Sequence, residues 1–121
     1  HTAMERKEKW LDISAELGNQ IIDWEENENV HANLWQKQLH LYEVPFYYIE
    51  YGMAQLGAIA MWRSYKKLGE KGLDNYMAAL KLGYTKTIGE IYETAGIKFD
   101  FSISYVKELA DFIKDELKKL S

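Results

Sequence analysis

The chain has 121 residues, 47% hydrophobic and 28% charged, with a formal net charge of −4. That is the length of one compact domain and the composition of a globular one, which excludes disordered and fibrous classes. With no long basic block there is no electrostatic footprint for nucleic acid, and with no cysteine there is neither disulfide nor thiolate chemistry.

The opening residues, "HTAMERKEKW", are charged and lack the apolar core of a secretory signal. Because the chain begins at His1 without an initiator methionine, it is expected to be a processed piece, an excised fragment, or a chain carrying a leftover scar. Apolar residues recur at three- and four-residue spacing from end to end, and nothing alternates with period two, so the expected class is all-α with about six helices. The first helix opens on "TAME", where Thr2 and Glu5 stand at capping-box spacing. Met4, Leu11, Ile13, Ala15 and Leu17 supply its apolar positions, and Gly18 suits its C-terminal cap. A polar, acidic connection, "NQIIDWEENEN", leads to a second helix over residues 26–41, with Val30, Leu34, Trp35 and Leu39 as its apolar side. Pro45 ends that helix and pushes Val44 toward an extended conformation.

A long third helix is expected over residues 46–68. Its small residues, Gly52, Ala54, Gly57, Ala58 and Ala60, would let a neighbour approach closely and make it the central, most buried helix. The run "YGMAQLGAIAMW" inside it is interrupted by Gln55 and is too short for a membrane span of ~20 apolar residues. "GEKG" at 69–72 reads as a loop, residues 73–82 as a fourth helix ended by Gly83, and Thr87 with Glu90 as a second capping box opening a short fifth helix that stops at Gly96. Ser102 caps the last helix, where Tyr105, Val106, Leu109, Phe112, Ile113, Leu117 and Leu120 fall at helical spacing. Lys118 and Lys119 suit its C-terminal dipole. The "KDEL" at 114–117 is not at the chain's end, so it is no retrieval signal. No linker is long enough to divide the chain, which reads as a single helical segment over 1–121. A cysteine-free composition suits a cytoplasmic location.

Chemistry-bearing residues concentrate in "LHLYEVPFYYIEYGMAQLGA", residues 39–58. On a continuous second helix His40 would share a polar stripe with Gln36 and Asn33, either lining a cleft or simply capping the helix end. Tyr48 and Tyr51, three apart at the head of the third helix, would point their phenols in nearly one direction, with Gln55 one turn further along. Two such donors could stabilise developing negative charge, or merely pack with the hydroxyl reaching water. Tyr47 and Phe46 suit packing better. Glu28 and His31 form one Glu-x-x-His element, of which a di-iron bundle needs two copies and further inward glutamates. His-Glu-x-x-His, Gly-x-Gly-x-x-Gly, P-loop and nucleophile-elbow patterns are absent, so no metal ligands are expected in these residues.

The stretch "HLYEVPFYYIEYGMAQLGAIAMW" resembles the C-terminal part of the oligoendopeptidase F family, thimet-oligopeptidase-like zinc metallopeptidases. "HTAMERKEKW" resembles the helix after the zinc-binding segment of that family. "LWQKQLH" resembles the helix leading to the active-site turn, and "ALKLGYTKTIGEIYETAGIKFDFS" the closing subdomain. The resemblance implies the C-terminal helical subdomain of a larger, mostly helical enzyme that hydrolyses short peptides. There a Zn2+ ion held by a His-Glu-x-x-His helix and a downstream glutamate activates water, with the motif glutamate as general base. Carried over, His40, Tyr48 and Tyr51 would be the residues that reach the substrate carbonyl and tetrahedral intermediate, with Tyr47 and Gln55 binding substrate beside them. The zinc ligands would lie outside this chain, which alone is expected to bind no catalytic zinc and cleave nothing. Its expected partners are short peptides and the N-terminal and zinc-binding parts of the same protein, not nucleic acid or membrane. Residues such as Met61 and Trp62 would face those missing parts, so self-association of the isolated piece is possible. Two other readings stay open: a stand-alone helical interaction module without catalysis, and a metal-binding bundle through Glu28, His31 and His40.

Overall fold

The computed structural model describes residues 1–120 and, among them, contains helices and no strand, the expected all-α class. In order these are α1 (Ala3–Leu17), α2 (Glu28–Asn33), a 3-10 turn (Leu34–Lys37), α3 (His40–Glu43), α4 (Ile49–Leu68), α5 (Glu70–Leu82), α6 (Ile88–Thr94) and α7 (Ile103–Lys118). They fall into two compact units, His1–Tyr48 and the residues from Ile49 onward.

The helix count exceeds the expected six because the single helix expected over 26–41 is divided into α2, the 3-10 turn and α3. The break is at Gln38, whose φ of −87° and ψ of 88° leave helical space. Leu39 resumes it, and α3 then ends at Val44, which stands at φ −137°, ψ 77°, the extended region that a following proline enforces.

Unit 1 begins with the expected capping box. Thr2 Oγ1 accepts the Glu5 N–H at 3.2 Å and the Glu5 carboxylate accepts the Thr2 N–H at 2.6 Å, satisfying two of the helix's orphan donors. Gly18 closes α1, its N–H donating to the Ser14 carbonyl at 2.9 Å. Its backbone is extended rather than left-handed (φ −79°, ψ 169°). What demands glycine there is space, since a Cβ would collide with the Ser14 carbonyl oxygen. Trp10 ties α1 to α2 by donating its indole N–H to the His31 carbonyl at 2.9 Å. Trp24, from the connection between them, stacks flat on the His31 ring at 4.4 Å. Ala32 is the only buried residue among those described in this unit, so rings and hydrogen bonds, not a deep apolar core, carry its packing.

Unit 2 does have a core. Ala60 of α4 meets Tyr105 and Leu109 of α7, and Leu56, Ile59 and Ile97 close around them. Only one stripe of the small-residue helix is covered: Gly57, Ala60 and Ser64 are buried, whereas Gly52, Ala54 and Ala58 are exposed. Along that stripe close approach is real. The Tyr92 hydroxyl of α6 occupies the space beside Gly57, where an added Cβ would stand 2.5 Å from it, and donates to the Met53 carbonyl at 3.4 Å. Burial, and then the neighbouring Tyr105, raise the Tyr92 phenol above its ordinary pKa.

The loop expected at 69–72 shrinks to Gly69, and α5 starts at Glu70. Gly69 takes φ +58°, a conformation that costs a residue with a Cβ, and so reverses the chain in a single step. Glu70 suits the positive end of the new helix. Gly72 then lies so close to α4 that a Cβ would meet Tyr65 Cα at 3.0 Å and the Ser64 carbonyl oxygen at 3.1 Å. The Thr87–Glu90 capping box forms as expected, and the hydrogen bonds from Thr87 hold the Glu90 carboxyl below the ordinary range. Ser102 caps α7 by accepting the Tyr105 N–H at 3.3 Å.

Two ion pairs join α4 to α7: Arg63 with Glu108 at 3.4 Å and Lys66 with Glu116 at 2.8 Å. Glu116 is buried, and hydrogen bonds from Lys119 and then Lys66 lower its pKa. A depressed carboxylate stabilises the fold in full above the ordinary glutamate pKa and loses that contribution as pH falls through the lowered folded value. Glu116→Gln is therefore expected to lower the melting temperature at neutral pH and to leave a difference from the parent that closes on acidification. Thermal melts across a pH series test this, and a difference that stays constant into acid would sink it.

Candidate functional site

The proline turn between α3 and α4 gathers three of the expected site residues. Backbone hydrogen bonds from Glu43 N–H to Leu39 O at 2.9 Å, Val44 N–H to His40 O at 3.3 Å and Tyr47 N–H to Val44 O at 3.1 Å wind the chain tightly on both sides of Pro45. Phe46 takes φ +66° and is 96% exposed. A bulky side chain at that angle is strained by ~1–3 kcal/mol. The result packs the His40 ring parallel to Tyr47 at 6.0 Å and edge-on to Tyr48 at 5.7 Å. The Tyr48 hydroxyl points at Gln38 Oε1 across 3.5 Å, the outer limit of a hydrogen bond. His40 is half-buried, while Tyr47 and Tyr48 keep nearly half their surface in solvent (42% and 45%).

Two expectations about this region change. The polar stripe Asn33–Gln36–His40 does not exist as one helical face, because the 3-10 turn and Gln38 separate His40 from the other two. Gln36 instead donates to Asn33 Oδ1 at 3.1 Å. Nor do Tyr48 and Tyr51 share a helix, since Tyr48 precedes α4. Tyr51 and Gln55 do lie one turn apart on α4, both exposed, within unit 2.

An imidazole flanked by two half-exposed phenols brings potential hydrogen-bond donors together, the kind of group that can hold a carbonyl oxygen as negative charge grows on it. In the same unit, Trp35 stacks on Tyr42 with ring centroids 6.0 Å apart. A model of Peptidase family M3 matches residues 1–111 of the chain. The chain belongs to that family. No curated protein and no solved structure matches it.

Membership of family M3 makes the chain part of a metallopeptidase acting on peptides, and the enzymes of that family depend on zinc. The residues of this M3 chain do not fit such an ion: among the described residues no three His, Cys, Asp or Glu side chains converge. His31, in the Glu-x-x-His element, is instead stacked on Trp24, and Glu28 is exposed. No helix among the described residues is long and apolar enough to cross a membrane.

The clustering of Trp10, Trp24 and His31 escaped the sequence reading, which took residues 19–29 as a plain polar connection. A tryptophan inside an acidic run was the available signal. A second cluster was missed for a different reason: Arg63 and Lys98 both lie over the Tyr105 ring, 5.4 Å and 5.8 Å from its centroid, although they are far apart in sequence.

Proposed function

We propose that this M3 chain is the C-terminal part of a zinc-dependent oligopeptidase of the oligoendopeptidase F type, cleaving short peptides in the cytoplasm. The family match over residues 1–111 carries this reading. Zinc and its ligands belong to other parts of the same protein, and those parts are the chain's principal partners. His40, Tyr48 and Tyr51 are the donors that contact the substrate carbonyl and the oxyanion derived from it. Tyr47 and Gln55 help to hold the peptide. The packing of His40 against Tyr47 and Tyr48 supports the role given to the turn. A preformed arrangement costs little reorganisation when charge develops, which is where such donors gain their effect.

On this reading the chain alone is inactive. Purified and supplied with zinc, it is expected to leave a fluorogenic short peptide intact, while the full-length protein cleaves it. Turnover by the chain alone, or none by the full-length protein under the same conditions, would overturn the proposal.

A further inference from the structure

Unit 2 holds a hollow of about 220 Å³ against α4, the segment after α6, and α7. Arg63, Ser64, Lys67, Gly96, Lys98 and Tyr105 are among its lining residues, three of them cationic. Arg63 is partly balanced by Glu108 at 3.4 Å. Lys98 helps, after the stronger hydrogen bonds from Ser102, to hold the Asp100 carboxyl below its ordinary range. Lys67 has no ion-pair partner among the described residues, unlike its neighbour Lys66, which is paired to Glu116.

Ser64, one of the residues lining the hollow, carries an unexplained polar atom. Ser64 is 7% exposed, and its Oγ is buried with no hydrogen-bond partner among the described residues. A buried hydroxyl left unsatisfied costs ~1–3 kcal/mol, and native folds rarely carry one without a use. Clustered like charge and an unsatisfied donor are both relieved by the same kind of guest, an oxygen-rich anion small enough for the space.

We propose that this hollow binds a small phosphate-type oxyanion, with Lys67 and Lys98 supplying charge and Ser64 Oγ a hydrogen bond. Arg63 and Tyr105 form the wall behind it. Two lysines match a dianion better than a singly charged carboxylate, and the site's volume admits a phosphate group with at most a short substituent.

The test is an NMR titration of the 121-residue chain with inorganic phosphate and with glycerol phosphate at constant ionic strength, chloride serving as control. Saturable shifts at the amides of Ser64 and residues 96–98, absent with chloride, are expected. Ser64→Ala should weaken binding about tenfold, the effect of losing one hydrogen bond to a charged group, and the Lys67→Gln, Lys98→Gln pair should abolish it. Tighter binding of glycerol phosphate would assign an organic phosphomonoester as the guest, and equal or weaker binding the free ion. Shifts that do not saturate, that appear equally with chloride, or that survive the double substitution would overturn the proposal. The titration of the unaltered chain decides the matter even if a variant fails to fold.

Discussion

In the full-length peptidase, His40→Ala is expected to lower kcat by about 10²–10³ with little change in KM, the loss typical of removing one donor to a developing oxyanion. A group that acts only on the transition state depresses kcat and kcat/KM together, whereas one that merely holds substrate raises KM. Tyr51→Phe and Tyr48→Phe, which delete a hydroxyl and keep the ring, are expected to fall in the same direction, and if the proposed donors act as one unit their combinations should lose less than the product of the single effects. Tyr47→Phe, at a position proposed to hold substrate, should act mainly on KM. Steady-state kinetics on a short fluorogenic peptide read all four. Unchanged kcat in His40→Ala and Tyr51→Phe would remove their assigned roles, and a thermal melt of each variant separates lost chemistry from lost structure. Tyr48 and Tyr51 are about half exposed, so their hydroxyls can be deleted without opening a cavity.

Leu109→Ala is expected to be the most damaging single change to stability, at about 2–5 kcal/mol. Leu109 is 1% exposed and is the largest side chain among the described residues to be completely enclosed. Its partners Ala60 and Tyr105 are held in place on both sides, Ala60 by the close packing of α4 and Tyr105 by Arg63 and Lys98 over its ring. Little can collapse into the space that the truncation leaves, so the cavity penalty should approach the upper part of that range. Urea unfolding monitored by circular dichroism measures it. A loss below about 1 kcal/mol would mean that the core around α4 and α7 repacks, contrary to this description.

The helical class, both capping boxes, the Ser102 cap and the Pro45 break were legible because each rests on local chemistry: a side-chain oxygen near a free N–H, or a ring that blocks a helix. The splitting of 26–41 was not, because "LWQKQLH" contains neither proline nor glycine and its residues are all compatible with a helix. The early start of α5 was hidden in the same way, since "GEKG" looks like a loop until Gly69 alone is seen to make the turn. For the candidate site, periodicity placed His40 with Asn33 and Gln36 and Tyr48 with Tyr51, and both pairings failed where the helix they assumed was interrupted. The grouping of His40 with Tyr47 and Tyr48 depends on the angles of the proline turn, including the left-handed Phe46, which residue spacing cannot express. Family likeness pointed to these residues without needing that geometry.

The contact between Gly57 and Tyr92 makes two distant positions a single unit of variation. Residue 57 can gain a side chain only if residue 92 surrenders its hydroxyl or moves its ring, and residue 92 can keep a tyrosine in its present place only while residue 57 stays bare. Drift at one position is thus conditional on the other, and sequences that diverge here should do so by paired exchange, a larger residue on α4 accompanying a shorter one on α6. A residue pair of this kind fixes the spacing of two helices through the absence of an atom, and such a spacing tolerates compensation far better than it tolerates either change alone.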